Sequence, residues 1–275
     1  MGELTFLWRQ EQPEMLQSAW TYRNFIAASI AGELKGRYAR STLGAAWFIL
    51  HPLAQAAILS LVLAEVLSAK MPGVVSKSGY AIYVMSGVAA WSLFSEIVTR
   101  STGIFVEYSS ALKKIAFPRI CLPIVVGGTA LFTHALLLVA VCIVLVALGH
   151  WPAWSWLALP LGMLVIAAFG FGLGLILGTF NVFSRDVAFL LTVVLQFWYW
   201  LTPIVYSTDM VPQRLQSLLA LNPMTALVNL YHDVIFRGIW PAWSSLAYPV
   251  AAAVALLLVA LFVFRRASAE LVDAL

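Results

Sequence analysis

Apolar residues run along this chain in six long stretches separated by short polar connectors. The stretches, each uncharged or nearly so, cover residues 41–69, 78–99, 120–149, 153–184, 187–208 and 238–264. Each reaches the roughly 20 residues that a helix needs to cross a bilayer. No run alternates apolar and polar positions with the period of a strand, so helices, and not a barrel, are predicted to satisfy the backbone. The expected fold is therefore all-α and membrane-embedded, with six transmembrane helices.

The connectors differ in character. Residues 107–119 read Glu-Tyr-Ser-Ser-Ala-Leu-Lys-Lys-Ile-Ala-Phe-Pro-Arg. A short helix over about 109–116 is expected there, ended by Pro118, which disfavours helix at the residue before it. The 181–186 connector is a tight turn carrying Arg185 and Asp186. Residues 208–237 are longer and semi-apolar, with Leu215, Leu218, Leu219 and then Leu227, Leu230, Tyr231, Val234 at helical spacing, interrupted by Asn222-Pro223. Two short amphipathic helices are predicted there, dipping into the outer leaflet or capping a pore. At such a depth the backbone needs shelter from lipid.

Ahead of the first stretch, residues 1–40 place Leu16, Trp20, Ala27, Ala31 and Leu34 at roughly helical spacing among polar neighbours. The pattern fits an amphipathic helix on the inner membrane surface; a helix packed on a soluble partner fits the periodicity equally well. Because this region is charged and mostly polar, no cleavable signal peptide is expected.

Composition agrees with the pattern. Of 275 residues 62% are hydrophobic and 10% charged, with a mean hydropathy of +0.92, against about 25% charged in soluble domains. With the N-terminus in the cytoplasm, twelve of the sixteen basic residues fall in cytoplasmic segments; Lys70, Lys77, Arg214 and Arg237 fall outside. The positive-inside rule then puts both termini in the cytoplasm. The net charge of +4 reflects this topology, and no nucleic-acid partner is expected. Cys121 and Cys142 both fall in the third stretch and are expected to be packing residues.

Candidate chemistry is sparse. A phosphate-binding loop ends in Gly-Lys-Ser/Thr, and the chain has no Gly-Lys dipeptide; ATP hydrolysis, if it drives this protein, belongs to another polypeptide. Gly170, Gly172, Gly174 and Gly178 in the fourth stretch read as a close-packing face, Gly174-x-x-x-Gly178 being its usual form. The run Phe197-Trp198-Tyr199-Trp200, with Tyr206 beyond it, sits too deep for an interfacial belt. Aromatic rings stack on the flat faces of sugars, with Tyr and Trp adding polar handles, so these are candidates to line a substrate path. Four consecutive positions surround a helix, and not all of them can face one lumen. Glu65 and Glu96 lie near Lys70 and Arg100 and are expected to reach an interface, while His134 reads as a hydrogen bonder between helices. Asp209, His232 and Asp233 form no recognisable hydrolytic set.

Certain residues carry a resemblance to a known family. Arg37-Tyr38, then Ser41-x-Leu43-Gly44-x-x-Trp47 and Pro52-Leu53, resemble the start of the ABC-2 transporter permeases, especially those exporting lipid-linked polysaccharide. Ser86-Gly87, Trp91, Phe94, Leu112-Lys113-Lys114, Phe117-Pro118-Arg119 and Leu122-Pro123 are similar to the family's second span and following loop. Arg185-Asp186 resembles its inner turn, and Pro203-Ile204-Val205-Tyr206 with Asn222-Pro223 its outer gate.

The resemblance implies a homodimer of six-helix subunits in the bacterial inner membrane, each subunit docking one copy of a separate ABC ATPase that holds ATP and Mg2+. This chain would need no cofactor or metal of its own. The 107–119 loop would be the coupling helix, with Glu107, Leu112, Lys113, Lys114, Phe117 and Arg119 as docking candidates. Arg37 and Arg40 would hold the pyrophosphate of a polyprenyl-linked glycan such as O antigen or capsule, since guanidinium groups bind phosphate oxygens bidentately. The chain would divide into an interface segment (1–40), the transmembrane domain (41–265, including the coupling loop and the 208–237 outer gate) and a cytoplasmic tail (266–275). An exporter of a drug, peptide or small lipid would share this architecture.

Overall fold

The computed structural model describes residues 21–36, 42–67, 77–109 and 121–274. Helices account for the architecture, and no strand occurs among the described residues. In chain order they are α1 (Arg23–Gly36), α2 (Trp47–Leu67), α3 (Lys77–Glu107), α4 (Cys121–Ala147), α5 (Leu159–Phe183), α6 (Asp186–Leu201), α7 (Gln213–Ala220), α8 (Pro223–Tyr231) and α9 (Ala247–Ala274). Single 3-10 turns lead into α2, α5 and α9, and a π-helical turn, His232–Arg237, extends α8.

Six apolar helices thus stand where the six apolar stretches lie. Four regions, Ser78–Glu107, Cys121–Ala147, Trp154–Phe183 and Trp243–Ala267, are long and apolar enough to cross a membrane; Ile49–Ala64 and Asp186–Leu201 are shorter. The 187–208 stretch does not continue as a helix to its end. Pro203 forces the residue before it away from helical geometry, and Thr202 is extended at φ −104°, ψ 134°. The 16 residues of α6 therefore rise about 24 Å.

α3 is the axis of the fold. It is enclosed by α2, α4, α5, α6 and α8, and buries Tyr80, Val84, Ala90, Phe94, Ile97 and Val98 around its circumference. Its seam with α5 is made by small residues. A Cβ on Gly174 would lie 2.6 Å from Ser101 Cβ, and one on Gly178 would lie 2.6 Å from the Ser101 carbonyl oxygen. Gly172 points the other way, onto Leu256 of α9. The glycine pattern is a packing device, and it serves two neighbours at once.

The helices meet at two ends. At the end that holds Gly149, His150 Nε2 bonds to the Ile235 carbonyl at 3.0 Å, and Tyr80 Oη donates to the Val205 carbonyl at 2.9 Å. Asn181 Nδ2, at the end that holds Arg185, donates to the Thr102 carbonyl at 3.2 Å, while Phe105 stacks on Phe264.

Around this core the lipid-facing surface is apolar. Phe132, Val139 and Ile143 of α4 and Val254, Leu258 and Phe262 of α9 are exposed. Trp151, Trp154, Trp240 and Trp243 are exposed around the Gly149 end, as amphipathic aromatics at a membrane surface are.

Candidate functional site

Two polar assemblies and one aromatic helix surround α3. The first assembly lies at the Gly149 end, where the chain leaves α6. Pro203 to Tyr206 lie in contact with α3. Tyr80 reaches the Val205 carbonyl, Tyr83 Oη donates to the Tyr206 carbonyl at 3.0 Å, and Gly87 leaves room for the Ile204 carbonyl. His232, in the π-helical turn, joins the three pieces. Its Nε2 donates to the Pro203 carbonyl at 3.2 Å, which leaves Nδ1 to accept from Ser86 Oγ at 2.8 Å. The imidazole also stacks on Tyr83, with ring centroids 3.7 Å apart. Burial holds His232 neutral, its pKa pushed down to about 3, and burial also raises that of Asp233 against the pull of Arg237.

Asn222 ties the same region to α6. Its Oδ1 accepts from Trp198 Nε1 and from the Met224 amide, each at 3.0 Å, and its Nδ2 donates to Thr202 Oγ1 at 2.9 Å. Asn222-Pro223 is therefore the N-cap and first residue of α8, the arrangement that both residue types favour. The two short helices expected in 208–237 are present, yet Leu227, Leu230, Tyr231 and Val234 are buried in the subunit core and do not lie against lipid. His134 bonds to Tyr231 at 3.0 Å, so it is a hydrogen bonder between α4 and α8.

The aromatic run of α6 divides. Trp198 packs edge-on to Phe94 and Phe169, and Tyr199 edge-on to Trp91, all within the subunit. Phe197 and Trp200 point outward, 70% and 52% exposed. With Phe189 and Val193 they form one outward face at helical spacing. Tyr206 is half-buried and donates to the Trp200 carbonyl at 3.0 Å. Phe197 and Trp200 are left uncovered by the rest of the subunit, whereas Trp198 and Tyr199 fix the orientation of the helix.

The second assembly lies toward the Arg185 end. Glu33 of α1 forms an ion pair with Arg100 of α3 and accepts from Thr129 Oγ1 of α4 at 3.3 Å. Arg100 Nη1 donates to the Val126 carbonyl at 3.3 Å and lies 3.8 Å from Glu96. Thr133 reaches Glu96 at 3.5 Å. α1 docks through Ile26 and Ile30 beside Cys121 and Val125, whereas Ala27 and Ala31 of the expected apolar face are exposed. The face of α1 that packs on α4 thus lies one position before Ala27 and Ala31, which stay open on the other side of the helix.

Arg185 and Asp186 are exposed at the tight α5–α6 turn, with Asp186 in the first turn of α6, where a negative charge is favourable. Asn181, missed in sequence, holds that turn: it bonds α3 through Nδ2, and its Oδ1 accepts from the Ala188 amide at 3.2 Å. Glu107 is exposed at the end of α3. Leu112, Lys113, Lys114, Phe117 and Arg119, together with Arg37 and Arg40, lie outside the described residues. No cluster of three or more metal-binding side chains occurs among the described residues.

This geometry can be set beside known proteins. The family model described as ABC-2 type transporter matches residues 25–236. The chain belongs to the ABC-2 type transporter family. Among its relatives is an O-antigen export system permease protein of Myxococcus xanthus, 27% identical over 263 residues, covering 95% of this chain and 99% of that protein. Another, from Klebsiella pneumoniae, is 28% identical over 211 residues, covering 75% and 78% of the two chains. A polysialic acid transport protein of Escherichia coli is 25% identical over 228 residues, covering 81% and 85%. The ABC-2 match spans both polar assemblies, from α1 through the π-helical turn, and the apolar helices make this family member a multi-pass membrane protein.

Proposed function

We propose that this chain is the permease subunit of an ATP-driven exporter that moves a polyprenyl-pyrophosphate-linked polysaccharide across the bacterial inner membrane. The observation that carries the reading is similarity along almost the whole of the chain and of its relative to an O-antigen export permease. All six apolar helices cross the membrane, both termini are cytoplasmic, and the Gly149 end faces outward, in accord with the distribution of basic residues.

The working unit is two copies of this chain and two copies of a separate ABC ATPase, which binds ATP and Mg2+. The 107–119 connector docks the ATPase, with Glu107, Lys113 and Lys114 as its charged contacts and Leu112, Phe117 and Arg119 beside them. Arg37 and Arg40 hold the pyrophosphate at the cytoplasmic edge, and the Arg185-Asp186 turn marks the inner entrance. The outward face of α6, with Phe197 and Trp200, offers rings on which successive sugars stack without any one unit being held tightly. The π-helical turn and residues 203–206 close the outer end. Movement of α3 reaches this closure directly, because Tyr80, Tyr83 and Ser86 are bonded to it.

Deletion of the gene, followed by extraction of surface and cytoplasmic glycolipids, tests the reading. Loss of one surface polysaccharide with accumulation of its lipid-linked form inside is the expected result. An unchanged glycan profile overturns it and leaves a drug, peptide or small-lipid exporter as the account.

A further inference from the structure

The connector that leaves α3 at Glu107 and enters α4 at Cys121 has two roots, and α1 grips both. On the α3 root, Arg100 lies seven residues before Glu107, about 10 Å along the helix, and pairs with Glu33. The α4 root meets α1 at Cys121 and Val125, which pack with Ile26 and Ile30. Close by, Gly128 is so near to Ile30 that a Cβ would lie 2.5 Å from its Cδ1. Glu33 touches both roots at once: one carboxylate oxygen takes Arg100, and the other lies 3.3 Å from the Thr129 hydroxyl of α4, whose proton it shares with the Val125 carbonyl at 2.8 Å. Arg100 in turn donates to the Val126 carbonyl. Three helices are stitched together at one charged point, and Glu33 and Arg100 side chains are only 17% and 15% exposed.

Isoleucines alone would hold α1 against α4, but apolar contacts tolerate sliding. A shielded ion pair with directed hydrogen bonds selects one register. Arg100 stands in the long apolar helix Ser78–Glu107, where an ionisable group is costly unless a partner meets it. We propose that Glu33 is a positioning residue that makes α1 part of the coupling apparatus, locking it to both roots of the 107–120 connector so that the three move as one body. The proposal rests on the reading of that connector as the ATPase-docking loop. Without the Glu33–Arg100 pair, ATP hydrolysis continues but is no longer matched by export.

The test measures surface glycan delivered per assembled complex in cells, and ATP hydrolysis by the complex purified with its ATPase. Glu33→Arg and Arg100→Glu singly are expected to lower export per ATP about tenfold, and the exchanged pair to recover most of it. Glu33→Gln, which keeps the side-chain shape, falls between; normal export per ATP in that variant overturns the proposal. So does a parallel fall in export and hydrolysis that simply follows the amount of complex, which marks a structural anchor. An exchanged pair no better than the worse single variant has the same consequence. A Lys113→Glu, Lys114→Glu variant serves as reference. If it too leaves export per ATP unchanged, the docking reading of the connector fails and the proposal with it. Uncoupling by the loop variant alone, with Glu33 and Arg100 variants normal, overturns only the role of α1.

Discussion

α3 and α4 are neighbouring helices of similar length, and they invert the usual relation between apolarity and burial. Among the four long apolar helices α3 is the least apolar and the most enclosed, whereas α4 is far more apolar and much less buried. In water the opposite sorting holds, since apolar surface is driven inside. Lipid tails are as apolar as leucine, so nothing drives Val139 or Ile143 of α4 inward. Instead the serines, threonines, tyrosines and charges are gathered inside, because an unsatisfied polar group in hydrocarbon costs several kcal/mol. α3 carries Tyr80, Tyr83, Ser86, Thr102 and Arg100, and becomes the hub to which residues 203–206, the π-helical turn and α1 are bonded.

Substitutions along the two helices should break this contrast in a graded way. The largest effect is expected on the α3–α5 seam. Gly174→Leu or Gly178→Leu drives a side chain into Ser101 backbone and Cβ and should cost about 3 kcal/mol or more, read as loss of folded protein after solubilisation. His232→Ala follows, at about 2 kcal/mol, because it strands the Pro203 carbonyl and removes the ring stacked on Tyr83, while the Ser86 hydroxyl keeps the Tyr83 carbonyl. A lowered melting temperature in lipid nanodiscs checks it, and His232→Gln should recover part of the loss.

Asn222→Ala removes the cap of α8 and the Trp198 bond, for about 1 kcal/mol. Faster hydrogen exchange confined to the first turn of α8 would report that loss. The smallest effects on stability belong to the outward faces: Ile143→Ala on α4 and Phe197→Ala or Trp200→Ala on α6 should each stay within about 0.5 kcal/mol. There the comparison sharpens, since the α6 pair should still lower glycan export while Ile143→Ala leaves it unchanged. Equal export from all three would remove α6 from the pathway.

Much of the fold was legible. Six apolar helices, the Gly174-x-x-x-Gly178 seam, the turn at Arg185 and the two short helices after α6 all follow from local pattern and turn chemistry. Helix lengths were less so. Pro203 ends α6 early, and α3 continues past Thr99 to Glu107, with Arg100, Ser101 and Thr102 sheltered on the way. The site was legible only as residue types. Phe197 to Trp200 announce themselves as an aromatic run, but which pair faces outward depends on Phe94, Phe169 and Trp91, which lie more than 25 residues away in sequence. Tyr80, Tyr83 and Asn181 carried no signal, being ordinary polar residues in apolar helices, and Ser86 stood out only within the Ser86-Gly87 resemblance. His232 was visible only as a histidine beside an aspartate, and the second face of α1, Ile26 and Ile30 against α4, was not read at all.

By itself the sequence determined the solvent: long apolar stretches and the placement of basic residues are local properties, and a bilayer answers to length and charge one segment at a time. Which helix stands at the centre, which aromatics turn outward, and that Glu33 meets Arg100 across 67 positions were decided only in three dimensions. Polar groups in lipid must find partners wherever the chain brings them, and the identity of each partner is a property of the packed bundle.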